Sequence, residues 1–258
     1  MDAKERTDMR NQRWKEQQQY DLYYESSAIK CKAELGTIEK DATGLFGKFE
    51  PCNFLGEKIL GMFIKEKFDT VLDIGAGGLE ATDQFIKNGK IVDICDFEDT
   101  SRTNKDITID EKKINEKHIG DFFEIEFNKL YDAVWCSHVL EHMLNPNIFL
   151  KKIHSLIKEE GFLCIVVPPR KPQIVGGHVS LWNGGLLLYH LVHAGFDCSD
   201  AIIHQYDYNI GIIVKKRSIV LPKLNYDIGD IKKLKDFFPR ELPTETDSFN
   251  GDILNLNI

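Results

Sequence analysis

From residue 69 onward the apolar positions of the chain fall into short runs that are continuous rather than alternating. They are Thr70-Val-Leu-Asp-Ile74, Lys90-Ile-Val-Asp-Ile-Cys95, Tyr131-Asp-Ala-Val-Trp-Cys136 and Gly161-Phe-Leu-Cys-Ile-Val-Val167. Strands covered on both faces carry apolar side chains at successive positions, because neither face meets water. Between the runs lie stretches with helical spacing, Ala81–Lys87, Asn147–Lys158 and Leu186–Ala194, and another helix is predicted from about Leu55 to Lys67. Strand and helix in alternation predict a parallel sheet sandwiched by helices, with right-handed crossovers. Near the end, Tyr208-Asn-Ile-Gly-Ile-Ile-Val214 closely follows a strand predicted around Cys198–His204. So short a connection predicts an antiparallel hairpin at the sheet edge.

The flanks read differently. Residues 1–56 are a helix-prone extension or cap, polar at first, then broken by Gly, Pro and Asn from Gly36 to Gly56. Tyr20, Tyr23 and Tyr24 share one helical face there, which either docks on the domain or covers a ligand. Residues 218–258, with Pro222, Pro239 and Pro243, predict a tail that wraps the domain or is partly disordered. That leaves 57–217 as the central domain. With 42% hydrophobic and 29% charged residues, the 258-residue chain can build a core without disulfide or metal staples. Its net charge of −8 counts against nucleic-acid binding, which draws its affinity from Lys and Arg on phosphates. No apolar segment approaches the roughly 18–20 residues of a membrane helix, and the Met-Asp-Ala-Lys-Glu-Arg start has no secretory apolar region. The six cysteines form no C-x-x-C pair, and Cys95, Cys136 and Cys164 fall inside predicted strands. Buried free thiols suit a reducing compartment, so a cytoplasmic location is expected.

The strongest local signal is Val71-Leu-Asp-Ile-Gly-Ala-Gly-Gly-Leu-Glu80, a strand running into a glycine-dense turn and then a helix. Glycines allow positive φ and let a ligand approach the backbone, and in a doubly wound sheet this turn lies where ligands bind. About twenty residues on, the second strand ends in Asp96, placed to meet ribose hydroxyls. A dinucleotide loop would carry a third glycine where Glu80 stands, and a carboxylate there repels a pyrophosphate. A cationic cofactor without phosphates suits these acids better.

Tyr131-Asp-Ala-Val-Trp-Cys-Ser-His-Val-Leu-Glu-His-Met-Leu-Asn-Pro146 is the second signal. Together with the glycine turn it resembles the class I S-adenosylmethionine-dependent methyltransferases. Within them it is similar to the broad group acting on small molecules, sugars and lipids, where D-x-G-x-G is followed by a strand reading D-x-V-x-x-x-x-x-L-E-H. The match runs on through Pro168-Pro169, Gly177-His-Val-Ser-Leu-Trp182 and Ala194-Gly-Phe196, covering roughly residues 57–216. The resemblance implies an α/β, Rossmann-like, mostly parallel seven-stranded sheet flanked by helices, with S-adenosylmethionine as cofactor. It places Asp73, Gly75, Ala76 and Gly77 along the methionine moiety, with Asp73 holding its ammonium. Asp96, followed by Phe97, takes the ribose; Asp121 meets the adenine amino group, with Phe122 against the ring; Ser137 and His138 border cofactor and substrate. Leu79 departs from the usual third glycine of the loop.

His138-Val-Leu-Glu-His142 also spells H-x-x-E-H, a pattern of inverted zinc peptidases. On a helix the two histidines would share a face and hold zinc, with Glu141 as base. His138 falls at a strand end, however, and Pro146 limits the local helix. No metal is therefore expected, and zinc hydrolysis is the remote alternative. Methyl transfer from a sulfonium needs mainly positioning and exclusion of water, and a hydroxyl acceptor gains from a general base. His178 and His138 are the candidates. Arg170 and Lys171, beyond the fifth strand, suit an anionic acceptor or plain solvation, and Trp182, Tyr23 and Tyr24 offer apolar walls. The expected function is methylation of a small molecule, at an oxygen of a sugar, nucleotide-linked or phosphorylated cell-surface precursor. A nucleic-acid or protein methyltransferase is the alternative. Against it stand the acidic charge and Cys136-Ser-His-Val where an amide-clamping N/D-P-P-Y/F motif would lie. No membrane partner is expected, and the oligomeric state is left open.

Overall fold

The computed structural model describes residues 54–97, 109 and 111–258. The chain divides into two compact units, Met1–Gly47 with Tyr206–Tyr208, and Lys48–Gln205 with Asn209–Ile258. The second carries the site. Each apolar run becomes a strand: β1 (Thr70–Ile74), β2 (Ile91–Asp96), β4 (Tyr131–Ser137) and β5 (Ile157–Val167), joined by β3 (Ile114–Ile119), β6 (Ile202–Tyr206), β7 (Asn209–Lys215) and β8 (Asn255–Leu256). The helices are α1 (Glu57–Phe63), α2 (Glu80–Lys87), α3 (Pro146–Leu156), α4 (Gly184–Ala194) and the short α5 (Asp230–Lys233).

The strands form one sheet in the order β3-β2-β1-β4-β5-β7-β6-β8. β1 to β5 are parallel, and β7 runs antiparallel to β5 from Phe162↔Lys215 to Val167↔Ile210. The chain builds outward from β1 to β3 and then returns to place β4 on the other side of β1. The carboxyl ends of β1 and β4 therefore flank the switch point, where ligands bind in open α/β sheets.

Side chains alternate across the sheet with period two. Leu72, Ile74, Val134, Cys136, Leu163 and Ile165 join Phe149, Leu150 and Ile153 of α3 and Leu187, Leu188 and Leu191 of α4 in one buried cluster. Trp135 points to the opposite face, where its ring lies 6.0 Å from Phe63 of α1 and 6.1 Å from Phe85 of α2. Asp73 shares that second face, which puts a carboxylate under α2, whose buried side includes the polar Thr82 and Gln84.

Three elements differ from expectation. α1 stops at Phe63 rather than near Lys67, because Ile59, Leu60 and Phe63 complete its buried stripe. β5 starts at Ile157, directly out of α3, where the helix was expected to run to Lys158 and the strand to begin at Gly161. The register shifts between Tyr131↔Ile157 and Ala133↔Phe162, with Glu160 at φ 65°. A Cβ at Gly161 would stand 2.6 Å from the Asp132 carbonyl, so this irregularity needs glycine. Finally, the C-terminal segment is built into the fold. β8 pairs with β6 and adds a strand to the expected seven, while Leu234, Phe238 and Ile253 enter the core. Among the described residues no helix is long and apolar enough to cross a membrane.

Candidate active site

β1 delivers the chain into the glycine turn at the switch point. Gly75 and Gly77 have φ of 74° and 47°, and Leu79, at the position usually held by glycine, is also left-handed at 67°. Leu79 is fully buried, and that burial offsets the roughly 1–2 kcal/mol which a side chain costs in this region. Asp96, at the end of β2, accepts from the Gly77 N–H (2.8 Å) and from the Phe97 N–H (2.7 Å), tying the turn to β2. Asp73 is buried beneath, accepting from Thr82 Oγ1 of α2 at 2.6 Å. Burial pushes its carboxyl up to about 7, the Thr82 bond opposes this, and the Asp96 and Glu80 charges add to the rise.

These elements enclose a cavity of about 400 Å³. Gly75, Asp96, Phe97, Asp121 and Phe122, five of the residues expected at the cofactor, line it together with Val139, His142, Met143 and Leu144 from the segment after β4. Asp73, Ala76, Gly77 and Ser137 do not line it. Ser137 instead donates to the Leu55 carbonyl at 3.4 Å.

The wall carrying Asp121 and Phe122 is held by a residue the sequence reading missed. Lys152 of α3 donates to the carbonyls of Phe122 (2.6 Å), Phe123 (3.1 Å) and Ile125 (2.8 Å), and lies 5.0 Å from the Phe122 ring. A lone polar residue on the apolar stripe of α3 was its only signal. Lys152→Met keeps the aliphatic stem but leaves three carbonyls without their donor. Bonds to a charged group are worth about 1.5–3 kcal/mol. The variant is expected to bind S-adenosylhomocysteine roughly tenfold more weakly, with faster amide exchange at 122–125; unchanged calorimetric affinity would refute this.

Past β4 the chain makes a tight turn. His138 takes φ 55°, and Leu140–His142 form one turn of 3₁₀ helix. His138 and His142 are therefore not stacked on an α-helix, and the zinc-peptidase geometry does not form. His138 Nε2 lies 3.0 Å from Asn209 Oδ1, and its Nδ1 lies 3.3 Å from Glu141 Oε1. The loop after β5 closes over this turn, with the Val179 N–H donating to the Glu141 carbonyl at 2.8 Å. That brings the His178 ring within 4.9 Å of His142, edge to face. Burial lowers the pKa of His178, and neighbouring His142, His138 and Lys171 act the same way against the opposing Glu141 charge.

Of the predicted acceptor residues, Arg170 is exposed and paired with Asp252 of the C-terminal segment at 2.6 Å. Lys171 is half-buried close by. Trp182 is corrected from cavity wall to core: it is 1% exposed, beside His190 at 5.1 Å, because the Pro169↔Trp182 bridge turns it inward. Tyr23 and Tyr24 lie outside the described residues.

The methyltransferase domain family matches residues 48–194 of this chain. A comparison with curated proteins returns no match. Among solved structures, the chain is similar to Burkholderia thailandensis 1,6-didemethyltoxoflavin-N1-methyltransferase with bound 1,6-didemethyltoxoflavin and S-adenosylhomocysteine. The TM-score is 0.52 at 15% identity, over 78% of this chain and 90% of that one. A TehB-like methyltransferase from Corynebacterium glutamicum gives 0.48 at 14% identity, over 76% and 100% of the two chains. Human N-acetylserotonin methyltransferase with S-adenosylmethionine gives 0.48 at 17%, over 58% of this chain and only 48% of its own. Identities this low speak for the fold, whereas the family match spans more than half of the sequence. The chain belongs to the methyltransferase domain family, as a class I S-adenosylmethionine-dependent methyltransferase.

Proposed function

We propose that the protein transfers the methyl group of S-adenosylmethionine to an oxygen of a small molecule. One observation carries the reading. The glycine turn, Asp96 and the Asp121–Phe122 wall converge on a single cavity, and the segment after β4 supplies a further wall of it. Asp96 holds the ribose, Asp121 and Phe122 the adenine, and the charges of Asp73 and Glu80 behind the glycine turn favour the ammonium and sulfonium. Those same acids disfavour a pyrophosphate.

The turn after β4 and the loop over it support oxygen methylation because they gather His138, His142 and His178, of which His142 lines the cavity, groups able to take or help displace a hydroxyl proton. Burial lowers the pKa of His178, which favours its neutral form for that task, whereas His138 already faces Glu141 and Asn209. A sugar, nucleotide-linked or phosphorylated precursor is the acceptor class we favour, on family resemblance and on Arg170 and Lys171. An anionic group reaching Arg170 must compete with Asp252. Cys95, Cys136, Cys164 and Cys198 are buried free thiols, in keeping with a cytoplasmic setting.

Calorimetric titration with S-adenosylhomocysteine, beside NAD⁺ and beside Asp96→Ala, tests the reading. Micromolar binding of the first alone, lost in the variant, is expected. Preference for NAD⁺ would overturn it.

A further inference from the structure

Glu141 is fully buried in the turn after β4; neither carboxylate oxygen makes a well-formed hydrogen bond among the described residues, and the nearest group is His138 Nδ1, 3.3 Å from Oε1. A carboxylate withdrawn from water requires donors or a cation. What it faces are imidazoles. His142 Nε2 is 3.9 Å from Glu141 Oε1, and the ligand atoms of Glu141, His142 and His178 all lie within 4.8 Å of one another.

The tautomer of His142 adds to this. Its Nδ1 lies 2.8 Å from the Gly177 carbonyl, which can only accept, so Nδ1 carries a proton. In the neutral ring Nε2 is then a lone pair turned toward a buried carboxylate, an arrangement that a cation between them satisfies. A histidine fixed by donating its other N–H to a backbone carbonyl is also the usual form of a metal ligand. The second group of this kind, Asp93, Glu116 and His118, already contains its cation, since Lys129 Nζ is 2.6 Å from Asp93 and 3.1 Å from Glu116.

We propose that Glu141, His142 and His178 bind one first-row divalent ion of zinc-like preference, and that this ion holds the acceptor hydroxyl for methylation. One carboxylate and two imidazoles are the donors such ions take, at about 2.0–2.2 Å, which sets the donors about 3–4 Å apart. Modest side-chain closure reaches that spacing. Three protein ligands leave a coordination position open, and one of them, His142, lines the same cavity as Gly75, which puts the site beside the cofactor pocket. A hydroxyl held there is acidified and gives its proton to solvent, so that His178 serves as a ligand in place of the base role proposed above. Its oxygen forms the new bond to the methyl carbon as the carbon–sulfur bond breaks, and the bonding pair returns to sulfur as the neutral thioether. The ion's role rests on the methyl-transfer reading; its binding does not. H-x-x-E-H is thus used without its helix: His138 stands beside the site, and the third ligand comes from the loop after β5.

The test strips the purified full chain with a chelator and titrates it with Co²⁺, followed by visible absorption, and with Zn²⁺, followed by calorimetry. One ion per chain is expected, with affinity lower by at least about 100-fold in His142→Ala and in His178→Ala. Circular dichroism checks that both variants fold, and His204→Ala on β6 should bind as wild type does. Absence of stoichiometric binding, or wild-type affinity in both histidine variants, overturns the site. S-adenosylhomocysteine titrated into the same samples reports on the cofactor separately. Cofactor binding without any ion refutes the metal site alone. Ion binding without cofactor keeps the site and refutes its role in methyl transfer.

Discussion

Gly75→Val is expected to abolish S-adenosylhomocysteine binding and to lower the melting temperature by roughly 10 °C. Gly75 sits at φ 74°, and a Cβ built there would lie 2.2 Å from Val139 Cγ2. Two costs add. Left-handed backbone disfavours a side chain by about 1–2 kcal/mol, and forcing carbon into a filled contact costs about 1–3 kcal/mol. At about 2–4 °C per kcal/mol for a chain of this size, the sum gives the stated shift. Binding fails for a different reason: Gly75 and Val139 both line the cavity, and the new side chain either fills it or drives the turn away from Asp96. The two causes separate in a double-mutant cycle with Gly75→Ala and Val139→Ala. Relieving the contact should restore part of the stability while the φ cost persists. If Gly75→Ala proves as stable as wild type in the Val139 background, the close contact is not what fixes this turn.

The second large effect is at Asp73, where stability and cofactor binding pull in opposite directions. Its carboxyl titrates at about 7 in the fold against 3.8 when unperturbed, chiefly because burial disfavours the charge. The folded state therefore holds a proton that the unfolded state has lost between those values, and stability falls as pH rises through this window. The contribution is fully present below about pH 4 and gone above about pH 7, and the ionised side chain then costs on the order of 4 kcal/mol. Asp73→Asn keeps an oxygen to accept from Thr82 and cannot ionise. Urea denaturation should find it close to wild type at pH 5 and more stable by a few kcal/mol at pH 8.5. The cofactor reverses the preference. A ligand ammonium at the glycine turn favours the ionised carboxylate, so S-adenosylhomocysteine should bind wild type more tightly as pH rises through about 7. The variant should lose roughly 10–100-fold in affinity together with that pH dependence, by the worth of an interaction with a charged group. A wild-type affinity flat from pH 5.5 to 8.5 would mean that Asp73 stays neutral or lies outside the ligand's field.

These effects trace back to features of unequal legibility. β1, β2, β4 and β5 could be read from the sequence because a strand covered on both faces must be apolar at nearly every position. The glycine turn could be read because backbone at positive φ selects glycine. Asp96 followed from its place at the end of the second strand. β3 was opaque for the converse reason: as an edge strand its side chains Asn115, Glu116 and Lys117 are exposed, so nothing in their polarity marks a strand. β8 has two residues, held only by pairing with β6, and a pair that short leaves no pattern. Lys152 carried no signal beyond a polar residue on an apolar stripe, although it holds the Asp121–Phe122 wall, and Trp182 looked like a cavity wall, whereas it lies in the core. Sequence alone determined the four central strands, the cofactor turn and the family, because these depend on local rules: side-chain periodicity, φ and strand ends. Tertiary structure alone decided that His178 meets His142 and Glu141, that Arg170 is tied to Asp252, and that Asp73 sits unsolvated beneath the ligand cavity. Those are distances between segments far apart in the chain, and the closing of loops over the sheet sets them, not any property of the residues themselves.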